Sequence, residues 1–285
     1  MEPSLNLIRV PAGLVTLSDR RSSRQWSVEV AAFQLSSIPL TASSSLPLVN
    51  VSWWDAIRLC NELSAREGLT PAYRLLPPTP DQPPPSSSPR SSPTGPVIRN
   101  APLATALRPG TSKPGASEPD ASKPDALRPG ALGPGALRPG AFGDGALGDE
   151  DGNGRDGDGI VWDRSADGYR LPTEAEWEHA CRAGTTGPRY GPLDDIAWHR
   201  ANSGDRIHPP GGKQPNAWGL HDMLGNAWEW CWDRYDPEIY GEYRVLRGGG
   251  WFDEHWSCRA SVRRRSHPDL NLDDVTFRPA RSLPT

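Results

Sequence analysis

The sequence predicts an α+β domain with little regular secondary structure, formed by residues 1–75 and 160–285 and interrupted by one insert. Composition separates the two parts, because residues 76–159 hold 17 of the 32 prolines and none of the 12 tryptophans. Indole side chains belong to packed cores or binding faces, so the tryptophans mark the folded part. Two capped helical patterns and several short apolar runs in that part indicate helices mixed with short strands.

The insert, residues 76–159, contains a five-residue repeat that begins at Ala106 as ALRPG, TSKPG, ASEPD and ASKPD. Proline at every fifth position prevents a continuous helix, and the residues between bury too little apolar area to offset the entropy of ordering. We therefore expect a disordered, partly polyproline-like segment. Its acidic end spaces Asp149, Asp151 and Asn153 as a calcium loop does. Ile160 stands where a bidentate glutamate is needed, so a solvated acidic linker is the prediction.

Two helices are predicted from N-terminal capping signals and apolar stripes. The first begins at Ser52, with Asp55 three residues on, and runs to Gly68. The second begins at Thr173 and runs to Gly184. The residues expected to face inward are Ala56, Leu59, Cys60 and Leu63 in the first helix and Trp177, Ala180 and Cys181 in the second.

Strands are predicted from short apolar runs between turn residues. Residues 7–10 and 28–35 are predicted as edge strands. Four further runs after the second helix suit short strands better than additional helices, and they are residues 196–198, 217–220, 227–230 and 244–247.

Charge and hydropathy exclude some partners. The net charge of −4 and the isoelectric point near 5.9 give no reason to expect nucleic acid or an anionic membrane surface as a partner. No apolar run approaches the ~18 residues of a membrane span, and no secretory signal pattern is visible, so we expect a cytoplasmic protein. The arginines at 259 and 263–265 are followed closely by acidic residues, which favours internal salt bridges over a phosphate-binding patch.

The four cysteines, at positions 60, 181, 231 and 258, form no CxxC pair, so neither a zinc ribbon nor a redox dithiol is indicated. Cys60 and Cys181 lie on the predicted inner faces of the helices and are interpreted as packing residues, as is Cys231. Cys258 has Asp253 and His255 among its near neighbours. This neighbourhood either tunes a thiolate or contributes to a metal site, or Cys258 is a core residue beside a solvated loop.

Five motifs in one order identify a family resemblance. They are Tyr-Arg-Leu-Pro-Thr-Glu-Ala-Glu-Trp-Glu from Tyr169, Asn-Ala-Trp-Gly-Leu from Asn216, Leu-Gly-Asn-Ala-Trp-Glu-Trp from Leu224, Arg-Gly-Gly-Gly-Trp from Arg247 and the final Phe277-Arg278. The sequence resembles the formylglycine-generating enzyme, or sulfatase-modifying factor, family. The resemblance implies a variant C-type-lectin-like fold with structural calcium.

The resemblance also implies an activity. Members that make formylglycine oxidise a sulfatase cysteine to an aldehyde with O2 and a copper(I) ion held by two cysteine thiolates. The positions that match these two ligands are occupied by Asp253 and Cys258. A carboxylate is a poor ligand for copper(I), so we expect the oxidase activity to be absent or much reduced.

Other positions that the resemblance assigns concern calcium and disulfides. A calcium site is expected at Asp222, Gly225, Ala227 and Glu229, and a second family site is represented at most by Asn202. In the family, positions matching Cys60 and Cys181 form disulfides, but their partner positions here hold Pro279 and Arg263. Neither bridge is expected to form.

The first functional hypothesis is therefore a domain without copper oxidase activity that acts as a ligand-binding, protein-binding or accessory module, with a sulfatase-like or other partner enzyme among its partners. Its groove is expected to contain Trp251, Phe252, Asp253, His255, Trp256, Cys258 and Arg263. The alternative is an O2-dependent oxidoreductase acting on a cysteine or thiol, with copper, iron or another harder ion. Asp253, His255 and Cys258 are its candidate ligands.

Overall fold

The computed structural model describes residues 5–19, 22–76, 154–156 and 159–283. Most of the predicted insert, including the five-residue repeats and the acidic residues at 149–153, lies outside the described residues. The described residues form helices and short strands that belong to one compact unit.

The N-terminal segment forms four strands, which are β1 (Leu7–Val10), β2 (Gly13–Asp19), β3 (Arg24–Val30) and β4 (Phe33–Ser36). The prediction of a single strand over residues 28–35 was wrong. Val30 is buried at an even position, whereas Phe33 and Leu35 are buried at odd positions. Side chains alternate between faces along a strand, so this change of phase ends β3 and starts a new strand. β3 pairs with β2, and β4 pairs with β1.

The first helix, α1 (Trp53–Arg66), has the predicted capping box. The Ser52 side chain accepts a hydrogen bond from the backbone N–H of Asp55, and the Asp55 carboxylate accepts one from the backbone N–H of Ser52. Gly68 follows with φ +70°, the left-handed conformation that glycine adopts after a helix. Ala56 and Cys60 are buried as predicted.

The second helix, α2 (Glu174–Arg182), confirms the other capping signal. Thr173 and Glu176 form a reciprocal capping box, and Trp177, Ala180 and Cys181 are buried. The left-handed residue that ends α2 is Ala183, one position before the predicted Gly184.

The segment between the helices forms a small sheet around the ends of the insert. β5 (Tyr73–Leu75) pairs antiparallel with β7 (Ile160–Trp162), and β7 pairs with β6 (Gly154–Asp156), which lies inside the segment predicted as insert. The N–H of Leu76 donates to the carbonyl of Gly159 at 2.7 Å. Leu76 and Gly159 therefore lie next to each other.

The C-terminal half contains short elements separated by long turns, and they are β8 (Tyr169–Arg170), α3 (Leu193–Ile196), β9 (Trp228–Arg234), α4 (Pro237–Tyr240), β10 (Arg244–Arg247), β11 (Arg263–Ser266), β12 (Val275–Thr276) and β13 (Ala280–Ser282). The strand predictions near residues 227–230 and at 244–247 are confirmed. Those at 196–198 and 217–220 were wrong. At the second site the side-chain oxygen of Asn216 accepts from the backbone N–H groups of Trp218 and Leu220, which stabilises a turn instead.

Two four-stranded sheets organise these elements. One has the order β1-β4-β13-β8 and the other β11-β10-β9-β12. A core cluster around Trp177 includes Leu35 and Val245, and a second cluster around Trp230 includes Trp53 and Phe277. β9 contributes residues to both clusters, because Trp228 and Trp230 belong to one and Cys231 to the other.

A buried ion pair connects the two sheets. The guanidinium of Arg278 donates from Nε and Nη2 to the two oxygens of Glu229 on β9, at 3.1 and 2.8 Å. Glu229 also accepts from the indole N–H of Trp177 on α2, at 2.8 Å. Arg278 reaches the other sheet by donating to the carbonyl of Ser36 at the end of β4. Both charged side chains are almost completely buried.

Replacing Arg278 with Ala is expected to lower the free energy of unfolding by about 3–5 kcal/mol, because it leaves the Glu229 carboxylate charged and unpaired in the interior. The measurement is urea denaturation of the purified protein. The matched control is Arg281→Ala, which removes a partly buried arginine three residues away that donates one hydrogen bond to the carbonyl of Asp167, and it should lower the free energy by no more than about 1.5 kcal/mol. Equal losses in the two variants would show that the buried pair has no special role.

Candidate functional site

The candidate site is the turn and loop that follow β10, residues 248–258. The turn requires glycine at Gly249, where φ is +88° and an added Cβ would lie 3.0 Å from the Cys258 Sγ. Trp251 is held at the start of the loop, because its N–H donates to the carbonyl of Asn226 at 2.9 Å. The close approach of the turn therefore covers the thiol of Cys258.

Asp253, at the first position of the expected copper pair, turns its carboxylate inward. Oδ2 accepts from the indole N–H of Trp228 at 2.6 Å and from the backbone N–H of Gly250 at 2.8 Å. Trp228 is buried, so Asp253 satisfies an indole donor that would otherwise lack a partner. The carboxylate thus holds the turn together.

Cys258, at the second position, is fully buried. Burial raises the pKa of its thiol to about 12, and the nearby Asp253 carboxylate adds to the rise. In the metal-free protein the side chain is therefore a protonated thiol at neutral pH, which is a poor nucleophile.

These donors do not fit copper(I), because one position holds a carboxylate engaged in two hydrogen bonds and the other a single buried thiol, where the members that make formylglycine have two thiolates. The structure does not bring together the side chains of the alternative ligand set, Asp253, His255 and Cys258. His255 is exposed, Cys258 is buried and Asp253 points towards Trp228. Within the part of the chain that the structure describes, no group of three or more His, Cys, Asp or Glu side chains is arranged to hold a metal ion.

The expected groove residues are only partly brought together. Phe252, His255 and Trp256 are exposed on the loop, and the Trp251 ring meets the Phe252 ring edge-on at 5.4 Å between centroids. Arg263 is a correction, because its guanidinium is buried and donates to both oxygens of Glu174 at 2.5 and 2.8 Å. It therefore does not line an exposed groove.

The expected calcium ligands differ in their availability. Both oxygens of Glu229 accept hydrogen bonds, from Arg278 or Trp177, so neither oxygen is free in the way expected of a calcium ligand. Asp222 is buried; its Oδ2 accepts from the N–H of Gly211, whereas its buried Oδ1 has no hydrogen-bond partner among the residues that the structure describes. This orphaned carboxylate oxygen fits a hard cation, with the carbonyls of Gly225 and Ala227 as the other expected donors.

Asn202, the single representative of the other calcium site, has a local structural role. Its side-chain oxygen accepts from the N–H of His199 at 2.8 Å, and its amide donates to the carbonyl of Ala197 at 3.1 Å. These bonds stabilise the turn after α3.

The cysteine and arginine predictions agree with the structure. All four cysteines are free and buried, so neither family disulfide forms. Arg264 pairs with Asp274 at 3.0 Å, and Arg263 pairs with Glu174, as expected for internal salt bridges.

Three residues of the site were not predicted from the sequence. Trp228 lies in a quoted motif, but the indole bond to Asp253 could not be read from its position. Arg189 donates from Nε to the carbonyl of Cys258 at 2.9 Å and also to the carbonyl of His255. Arg200 lies 5.0 Å from the Phe252 ring centroid and 3.6 Å from Glu254. Neither arginine belongs to a motif, so no local signal pointed to it.

The structure combines a glycine turn over a buried thiol with a Trp-Glu-Trp strand and two capped helices. Comparison with known proteins shows which class of protein has this domain. The family model of the FGE-sulfatase, or sulfatase-modifying factor enzyme 1-like, domain matches residues 27–283. The chain belongs to this family, which confirms the resemblance seen in the motifs.

Curated relatives with different names match part of the chain. Over 152 residues it is 36% identical to a serine/threonine-protein kinase pkn1 of Chlamydia pneumoniae (44% of this chain, 24% of the relative). It is 34% identical to a formylglycine-generating enzyme of Streptomyces coelicolor (40% and 46%) and 34% identical to an inactive C-alpha-formylglycine-generating enzyme 2 of Mus musculus (40% and 44%). The matches span less than half the length of each of these relatives.

Among solved structures, the chain is similar to Treponema denticola variable protein 1, with a TM-score of 0.65 and 22% identity over 98% of this chain and 95% of that one. This likeness establishes the fold. None of the helices in the described ranges is long and apolar enough to cross a membrane.

Asp253→Ala is expected to lower the free energy of unfolding by about 1–3 kcal/mol, because it removes the acceptor of a buried indole N–H and of a backbone N–H. Asp253→Asn keeps an oxygen acceptor and should retain most of the stability. Urea denaturation of both variants tests this, with Glu254→Ala as the control for an exposed ion pair worth at most ~1 kcal/mol. Equal stability of Asp253→Ala and Glu254→Ala would contradict the structural role of Asp253.

Proposed function

We propose that this chain is a formylglycine-generating-enzyme-like domain without copper oxidase activity, acting as a binding or accessory module. The proposal rests on one observation: the two positions that would hold copper carry a carboxylate engaged by Trp228 and Gly250 and a single buried thiol. Copper(I) prefers soft thiolates, and the Asp253 oxygen is a hard ligand already used to hold the turn.

The electrostatics of Cys258 support the same conclusion. A free thiolate nucleophile forms readily only where the pKa of the thiol lies near neutral pH, whereas burial raises the pKa of Cys258 to about 12 in the metal-free protein. The neighbouring carboxylate opposes ionisation further, since a second negative charge would lie close to it.

The names of the relatives are consistent with several roles for this domain. They include a formylglycine-generating enzyme, a protein named inactive and a protein kinase. The carboxylate of Asp253, at a position where the family has a copper-binding cysteine, favours a non-catalytic role for this chain. The match to a protein kinase favours an accessory role beside another enzyme.

The purified protein, supplied with copper(I), O2 and a Cys-x-Pro-x-Arg peptide, is expected to form no aldehyde. The readout is the peptide mass by mass spectrometry, with a formylglycine-generating enzyme of the family as the positive control. Aldehyde formation by the wild type that disappears in Cys258→Ala would sink the proposal in favour of a thiol oxidoreductase. Asp253→Cys, which supplies a second thiol, should raise the affinity for copper(I), because this ion prefers soft thiolate ligands. Asp253→Asn should not.

A calcium ion bound through Asp222 is a further part of the proposal, supported by its orphaned Oδ1. Calcium at millimolar concentration is expected to raise the melting temperature relative to EGTA, because an ion that binds only the folded state stabilises it. Asp222→Ala should abolish this rise, whereas Asp195→Ala, at an exposed position, should retain it. A melting temperature insensitive to calcium in the wild type would contradict the site.

A further inference from the structure

The 251–258 loop exposes two large aromatic side chains that lie four residues apart in the chain. Phe252 is 46% exposed and Trp256 is 56% exposed. Exposed apolar patches mark interaction sites when their side chains are contiguous, and aromatic residues are enriched at the centres of protein interfaces.

The loop that carries them is fixed at several points along its backbone. Arg189 donates to the carbonyls of His255 and Cys258, and the N–H of Arg200 donates to the carbonyl of Asp253 at 3.0 Å. The N–H of Ala260 donates to the carbonyl of Pro188 at 2.9 Å. Because its backbone is held, the loop presents its aromatic side chains with little ordering cost on binding.

The charges around the loop are unequally compensated. Glu254 is balanced by Arg200 at 3.6 Å, and the Asp253 carboxylate is turned inward. Arg189, in contrast, is half-buried and donates only to carbonyl groups, and no carboxylate pairs with it among the described residues. Its Nη1 makes no hydrogen bond to a described residue. Arg189 therefore offers a guanidinium beside the loop that a partner's carboxylate would neutralise.

We propose that the 251–258 loop, with Arg189, is a docking surface for a linear segment of a partner protein in which an apolar side chain is flanked by acidic residues. The apolar side chain packs on Phe252 and Trp256, and a carboxylate pairs with Arg189. This inference rests on the proposed function as a binding module, and it adds the chemistry of the partner.

Fluorescence anisotropy with three labelled peptides tests the docking surface. The first contains Asp-Glu-Leu-Phe-Asp-Glu, the second replaces Leu-Phe with Ser-Ser, and the third replaces the acidic residues with Lys. The wild-type protein is expected to bind the first peptide at least about tenfold more tightly than either of the others. Equal affinity for all three peptides, or no binding to any of them, overturns the proposal.

Variants separate the apolar contact from the charged one. Trp256→Ser should weaken binding of the first peptide at least about tenfold. Leu270→Ser, at a leucine that is 48% exposed elsewhere, is the matched control and should leave binding unchanged. Arg189→Gln should remove the preference for acidic over uncharged flanks and its salt dependence, and Arg189→Lys should restore part of both. Equal loss in Trp256→Ser and Leu270→Ser overturns the docking surface.

Two further measurements keep the hypotheses distinct. Self-association of the wild type in sedimentation velocity that is lost in Trp256→Ser would assign the surface to a second copy and overturn the proposed occupant. Failure of all peptides to bind, without aldehyde formation, overturns the docking surface alone. Aldehyde formation overturns the proposed function regardless of peptide binding.

Discussion

The buried pair of Glu229 and Arg278 constrains the arrangement of this domain. A charged carboxylate in the interior is costly unless it is paired and hydrogen-bonded, and here one guanidinium and one indole satisfy it. The same guanidinium donates to carbonyls of Ser36 and His221. The Glu229–Arg278 pair therefore positions four parts of the domain, which are the N-terminal strands, the second helix, the turn before β9 and the C-terminal segment. This fold has short strands and long turns. The hydrogen bonds of the buried ion pair therefore partly take the place of the backbone hydrogen bonds that long β-strands would supply.

The elements predicted correctly from the sequence are those whose signals are local. The capping boxes at Ser52 and Thr173 are complete within four residues, so α1 and α2 follow from the sequence alone. The turn around Asn216 was mistaken for a strand because its apolar residues resemble one. What decides it is an asparagine side chain that bonds its own backbone and also reaches Ala180 on α2. That contact is tertiary and leaves no periodicity to detect.

In the site, too, local signals were predicted correctly and contacts between distant residues were not. The motifs located the glycine turn, the cysteine and the substituted aspartate, since these are identities at fixed spacings. They did not show where the side chains point. Arg263 was assigned to the groove from its position, whereas the structure pairs it with Glu174. The inward turn of Asp253 depends on Trp228, which lies 25 residues earlier in the chain. Exposure and pairing of this kind arise from packing between distant segments, which single-sequence patterns do not encode.

The antiparallel pairing of β5 with β7 has a consequence for the evolution of the chain between them. β5 and β6 pair with opposite edges of β7, so the two ends of the connection that contains the repeats are only two inter-strand spacings apart. The entropic cost of closing a loop between fixed ends rises by only about 0.6 kcal/mol for each doubling of its length. Replication slippage that adds or removes whole five-residue units would therefore change the stability of the domain very little. This position can act as a tolerant acceptor for repeat growth, and it is equally suited to receiving an engineered reporter domain.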